Sequence, residues 1–235
     1  MENIKLFCIP HAGGSAAMYL KLKPFLSEFI ELIPVELAGR GNRFSDRFYE
    51  SFDEAANDIY RFIFKRASGA KYAIFGHSMG GWLSFNICDK ILKSEKPGPI
   101  HVFLSGRYPP HIKYRGEFMH KMSDEELIEN IISFGGMSNI ILKDKELLNY
   151  FLRIIRADYR ILETHKPLLD FKFTNDITVI RGKNDSIVSD IDVGEWDRYT
   201  TKKCKMKEFE GGHFYIENNA NLLSNFINSI LSEYL

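Results

Sequence analysis

Short apolar runs alternate along this chain with longer stretches in which apolar positions recur every three or four residues. Ile4–Ile9, Cys204–Phe209 and the runs 30–35, 72–75, 100–104 and 177–181 have the length and side-chain content of strands. Between them the pattern predicts helices. One opens at Gly13-Gly14-Ser15 and runs to about residue 26. A second starts at Ser51, three before Glu54 as in a capping box, and runs to about residue 65. Another follows Gly76, over about 79–92, and a last one covers about 222–235. Such alternation predicts an α/β fold, a mostly parallel sheet with helices on both faces.

The rhythm breaks between residues 107 and 173, where no run reads as a strand. Ser123 with Glu126 makes a second capping box, and Leu127, Ile128, Ile131 and Ile132 form a stripe that stops at Gly135-Gly136. A further helix is expected over 145–163, with Leu147, Leu148, Phe151, Leu152, Ile154, Ile155, Ile161 and Leu162 covering a wide face. Two helices inserted between consecutive strands are expected to form a lid over the sheet edge. About 65 residues make a marginal core alone, so residues 1–235 are read as one domain with a lid insertion over about 107–173.

Composition narrows the classes. At 45% hydrophobic and 26% charged, the 235 residues describe a globular chain and exclude wholesale disorder. The 31 basic and 31 acidic side chains cancel, which argues against a nucleic-acid binder. Cys8, Cys88 and Cys204 lie far apart without metal-ligand spacing, as expected of buried thiols in a reduced, cytoplasmic protein. The N-terminus enters an apolar strand at once and is read as carrying no signal peptide. Charges break every apolar run short of a membrane span, so no membrane association is expected.

The sharpest chemical signal is Gly76-His77-Ser78-Met79-Gly80. A tight turn from strand into helix holds such a serine in a strained conformation, and small residues on either side keep strand and helix from clashing. A serine hydroxyl is a poor nucleophile and needs a base, which in turn needs an orienting acid. Of seven histidines, His213 in Gly211-Gly212-His213 follows the last strand and precedes the terminal helix, so it is the expected base. Asp185 stands in the loop after the strand 177–181 and is the expected acid, with Asp190 and Asp192 as rivals. Asp158 and Asp170 fall on or beside the lid helices and read as surface groups. The oxyanion calls for two backbone N–H donors. Met79 supplies one, and the loop Pro10-His11-Ala12-Gly13-Gly14-Ser15 the other, through His11 or Ala12. That glycine pair lacks the Gly-Lys-Ser/Thr ending of a phosphate-binding loop and the G-x-G-x-x-G of a dinucleotide site.

These residues, with Gly39-Arg40-Gly41-Asn42-Arg43, Ser105-Gly106-Arg107, Gly135-Gly136-Met137 and His213-Phe214, resemble the external (type II) thioesterases. Those are α/β-hydrolases found beside nonribosomal peptide and polyketide synthases. The likeness spans nearly the whole chain; Ala38 departs from it, where the family more often has proline. The resemblance implies hydrolysis of acyl thioesters from the 4′-phosphopantetheine arm of acyl or peptidyl carrier proteins, as editing in antibiotic biosynthesis. It carries the triad onto Ser78, Asp185 and His213 and implies no cofactor or metal. A small-molecule carboxylesterase or lipase with the same triad, and a binding protein without turnover, are the other readings. A monomer meeting its carrier transiently is expected. Two basic stretches carry a docking hypothesis: 107–121, with Arg107, Lys113, Arg115 and Lys121 against Glu117, and 38–47, with Arg40, Arg43 and Arg47 against Asp46. Arg40, Arg107 and Arg115 are its candidate contacts.

Overall fold

The computed structural model describes residues 3–112, 118–137, 139–188 and 193–235. Its strands are β1 (Ile4–Ile9), β2 (Ile30–Pro34), β3 (Tyr72–His77), β4 (His101–Ser105), β5 (Asp176–Gly182) and β6 (Cys204–Phe209). They form one sheet in the order β2-β1-β3-β4-β5-β6, with every neighbouring pair parallel. Strands β3 and β4 run past their apolar stretches to His77 and Ser105, which are polar yet fully buried. Hydropathy alone could not extend them that far.

Side chains of successive strand residues point to opposite faces, and the two cores follow that period. Phe7, Ile9 and Ile74 pack with α1 (Phe52–Ala67) and α2 (Met79–Lys93). Leu6, Cys8 and Phe75 pack on the other face with α6 (Ala220–Leu231) and the segment Ala16–Phe25. That segment is a 3-10 helix containing Pro24, which has no N–H to donate. At the start of α1, the Ser51 hydroxyl accepts the Glu54 N–H, as expected, while the Glu54 carboxylate takes the Glu50 N–H instead of closing the box.

Between β4 and β5 lie α3 (Asp124–Ser133), α4 (Asn139–Lys143) and α5 (Lys145–Glu163). Ser123 and Glu126 form a full capping box on α3. The five residues of α4 are too few to show a periodic pattern, and two helices were expected where there are three. Leu127, Ile131, Leu152 and Ile155 build a small core of their own. Ile132 and Leu147, placed on the apolar faces by sequence, are 47% and 42% exposed. Tyr159 of α5 packs against both this cluster and the main core. Among the described residues no helix is long and apolar enough to cross a membrane.

Candidate active site

In an all-parallel sheet the carboxyl ends of all strands lie at one edge, where sites of α/β proteins form. The loops after β1, β3, β5 and β6 meet there, and they carry every residue expected to be catalytic. Ser78 joins β3 to α2 with φ of 54° and ψ of −113°. For a residue with a Cβ this is a strained conformation, held only because its surroundings over-determine it. The Ser78 N–H donates to the Ser105 carbonyl at 2.7 Å, and the Ser78 carbonyl accepts from Gly81 at 2.9 Å. A Cβ at Gly76 would stand 2.1 Å from the Gly80 carbonyl oxygen, and one at Gly80 would stand 2.2 Å from that of Ile9. The glycines let β1, β3 and α2 cross this closely.

Asp185 and His213 come from neighbouring loops that are themselves pressed together. A Cβ at Gly182 would meet the Gly212 carbonyl oxygen at 2.2 Å, and the Asn184 N–H donates to the Gly211 carbonyl at 2.9 Å. Across this contact His213 Nδ1–H donates to Asp185 Oδ2 at 2.8 Å. The other carboxylate oxygen of Asp185 accepts the Ile187 N–H at 2.9 Å. Asp185 is fully buried and His213 is 4% exposed, so water competes little for their bond. The rivals Asp190 and Asp192 lie outside the described residues.

His11 follows β1. Its Nδ1–H donates to the Ala12 carbonyl, and burial lowers its pKa to about 4, so the ring is neutral at pH 7. His77 is likewise held well below the ordinary histidine range, by burial first and then by the neighbouring His213 and His11. Its Nδ1 is hydrogen-bonded to the Ser105 hydroxyl at 2.9 Å, and that hydroxyl to the Tyr215 hydroxyl at 2.7 Å. The His77 ring lies 5.0 Å from that of His213, a neutral wall behind the expected base. His11, Ala12, Ser78, His213 and Phe214 border a cavity of about 20 Å³. The inserted helices close it with Ile131, Ile155 and Tyr159, so their apolar faces both pack and line the site.

One group was misread from sequence. Asp158, expected at the surface, is buried and bonded at 2.6 Å through both carboxylate oxygens to the Arg40 guanidinium. It also accepts the Gly13 N–H at 2.8 Å, while Arg40 donates to the Gly14 carbonyl at 3.0 Å. The pair therefore ties the loop after β1 to α5. This also corrects the docking hypothesis. Arg40 is 2% exposed. Arg43 pairs with Asp46 and Asp58, and Arg47 with Glu50 and Glu54, so neighbouring carboxylates, three of them just beyond the stretch 38–47, offset its charge. Arg107 is also interior, its guanidinium carbon 3.7 Å from the Trp82 ring centre. Arg115 lies outside the described residues, as do Lys113 and Glu117.

Comparison with known proteins turns this geometry into a family. A family model described as a thioesterase domain matches residues 4–231. The chain belongs to the thioesterase family. This thioesterase is a thioester hydrolase of α/β-hydrolase fold. It is 30% identical over 218 residues to the gramicidin S biosynthesis protein GrsT of Aneurinibacillus migulanus, covering 91% of this chain and 83% of that one. The crystal structure of ClbQ, from the colibactin NRPS/PKS pathway, matches it with a TM-score of 0.93 and 33% identity over 98% of each chain. The type II thioesterase BorB, from the borrelidin biosynthetic cluster, matches with a TM-score of 0.86 and 29% identity, covering 97% of this thioesterase and 92% of BorB.

Proposed function

We propose that Ser78, Asp185 and His213 are the catalytic triad, and that this thioesterase clears acyl or aminoacyl groups from the 4′-phosphopantetheine arms of carrier proteins in nonribosomal peptide or polyketide assembly. The observation that carries the chemistry is the 2.8 Å bond from His213 to buried Asp185, beside the cavity that Ser78 borders. The carrier-bound substrate is supported by relatives from such pathways that match the chain over nearly its whole length.

With Nδ1–H given to Asp185, His213 presents an unprotonated Nε2 as the base. It takes the Ser78 proton as the oxygen attacks the thioester carbonyl. The N–H groups of Met79 and of His11 or Ala12 hold the oxyanion. Collapse breaks the carbon–sulfur bond, and the pantetheine thiol leaves with the proton from His213. Water then attacks the acyl-serine, its proton passing to His213 and on to Ser78 as the acid is released. No step calls on a metal or cofactor. The inserted helices act as the lid of a single domain, and a monomer meets its carrier transiently.

The test is the clearance of acetyl or aminoacyl groups from a loaded carrier protein against hydrolysis of aryl esters of the same acids. Carrier-bound groups should be cleared faster; equal or better turnover of the aryl esters would favour a small-molecule esterase. Ser78→Ala should abolish both activities with its unfolding transition retained, and residual turnover would remove Ser78 from the mechanism.

A further inference from the structure

The cavity bordered by Ser78, about 20 Å³, has room for little more than a group the size of a water molecule. A second cavity of about 390 Å³, in the range of small-molecule sites, lies nearby. Trp82 in its wall stands four residues beyond Ser78 on α2, about one helical turn from the nucleophile. Among the described residues Tyr159 is the only one that borders both cavities. Leu162 and Leu169 continue the wall of the larger one, which Arg107, His111, Glu163 and His165 also line. The Arg107 guanidinium carbon stands 3.7 Å from the Trp82 ring centre and 4.2 Å from that of Tyr108, and His111 is hydrogen-bonded to the Tyr199 hydroxyl. Glu163 accepts the Met119 N–H at 2.8 Å and bonds His120, while His165 bonds Asn86 and stacks on Phe52. What they leave open suits an alkyl chain better than the amides of a pantetheine arm.

We propose that Tyr159 determines acyl-chain specificity: it partitions one acyl site, holding the reacting portion to short groups and closing off a larger chamber that would take a medium-length, apolar acyl chain. This rests on hydrolysis at Ser78. Beyond the reacting carbonyl, the methyl of an acetyl group is about the size that this space admits, whereas a longer chain must pass the Tyr159 ring to be buried. Removing the ring joins the cavities, and each further methylene then finds apolar wall in place of a barrier. Discrimination in apolar pockets is worth roughly tenfold or more per methylene.

The experiment uses the full chain and a series of acetyl, butyryl, hexanoyl and octanoyl pantetheine thioesters, which share one leaving group. The wild type should lose kcat/KM steadily from acetyl to octanoyl. Tyr159→Ala should raise the octanoyl-to-acetyl ratio by about tenfold or more. Adding Leu169→Trp, which refills the larger cavity, should bring the ratio back toward the wild type. Because Tyr159 packs against two cores, Tyr159→Leu serves as a milder variant should the alanine form fail to fold, and it should shift the ratio the same way. An unchanged ratio in a folded variant overturns the proposal. So does a uniform change at every chain length, which would place the pantetheine arm in the larger cavity. Ser78→Ala on the same series separates the two readings. Activity surviving there defeats the triad, whereas a dead Ser78→Ala with an unmoved Tyr159 ratio defeats only the partition.

Discussion

A single hydrogen decides what His213 can do. Donated from Nδ1 to Asp185, it leaves Nε2 as the acceptor that a serine proton requires. Asp185→Asn keeps the shape and an oxygen for the Ile187 N–H, but its amide can donate to Nδ1 and select the opposite tautomer. On the triad reading kcat should fall by about four orders of magnitude, with the urea midpoint close to wild type. Steady-state kinetics on a pantetheine thioester checks this, and a loss under tenfold would point to an acid elsewhere. Ser78, Asp185 and His213 stand out in the sequence because each follows a strand in an order that only certain loops satisfy, and the structure joins Asp185 and His213 by a 2.8 Å bond. Asp158 carries a sequence signal of its own. It stands four after Ile154, three after Ile155, three before Ile161 and four before Leu162, in the middle of the buried stripe of α5. A carboxylate there must be buried, and a buried carboxylate needs a partner.

At the scale of elements, that partner is the fastening between α5 and the loop after β1. Removing one member leaves a charge stranded in the interior, so Asp158→Ala and Arg40→Ala should each lower stability by about 3–5 kcal/mol. Combining the two, Arg40→Ala with Asp158→Ala, should lower it by less than the sum of the single changes, because neither charge is then left stranded. Urea unfolding of the four proteins gives the cycle, and strict additivity would mean that the two side chains do not depend on each other. The loop and helix were each readable from sequence, but their bond spans 118 positions. No local pattern announces such a pairing. Short elements escaped for a different reason: α4 and the 3-10 turn Val193–Tyr199, which buries Trp196, are shorter than the window of roughly 11–18 residues in which a helical period shows.

For the molecule as a whole, strand–helix alternation gave the layered architecture, since each strand carries apolar side chains to two faces. Strand order and register were not written in that alternation, because they depend on which strands meet after folding. Burial of histidines sets the response of the whole fold to acid. His77 is held well below the ordinary range, and His101, 1% exposed, is lowered to about 4, chiefly by burial. Unfolded, both would titrate near pH 6.5. Between those values the unfolded chain binds protons that the folded chain refuses, so stability is complete above about pH 6.5 and declines as pH falls toward 4. Unfolding free energies from urea titrations at pH 7.5 and 5 should differ by an amount on the order of a few kcal/mol; equal values would show these histidines protonating in place.

The arrangement of the sheet also sets a timetable. Ser78 reaches its turn through β3, at the centre of the sheet, whereas Asp185 and His213 follow the last two strands to be made. Chains dominated by such distant pairings close late, because loop entropy is lost before contacts form. On the triad reading, a nascent or truncated chain that stops short of β6 holds a nucleophile without a base. Recovered turnover during refolding would then report the closing of β6 onto β5, and hydrolysis would wait on the synthesis of β6 and the loop after it.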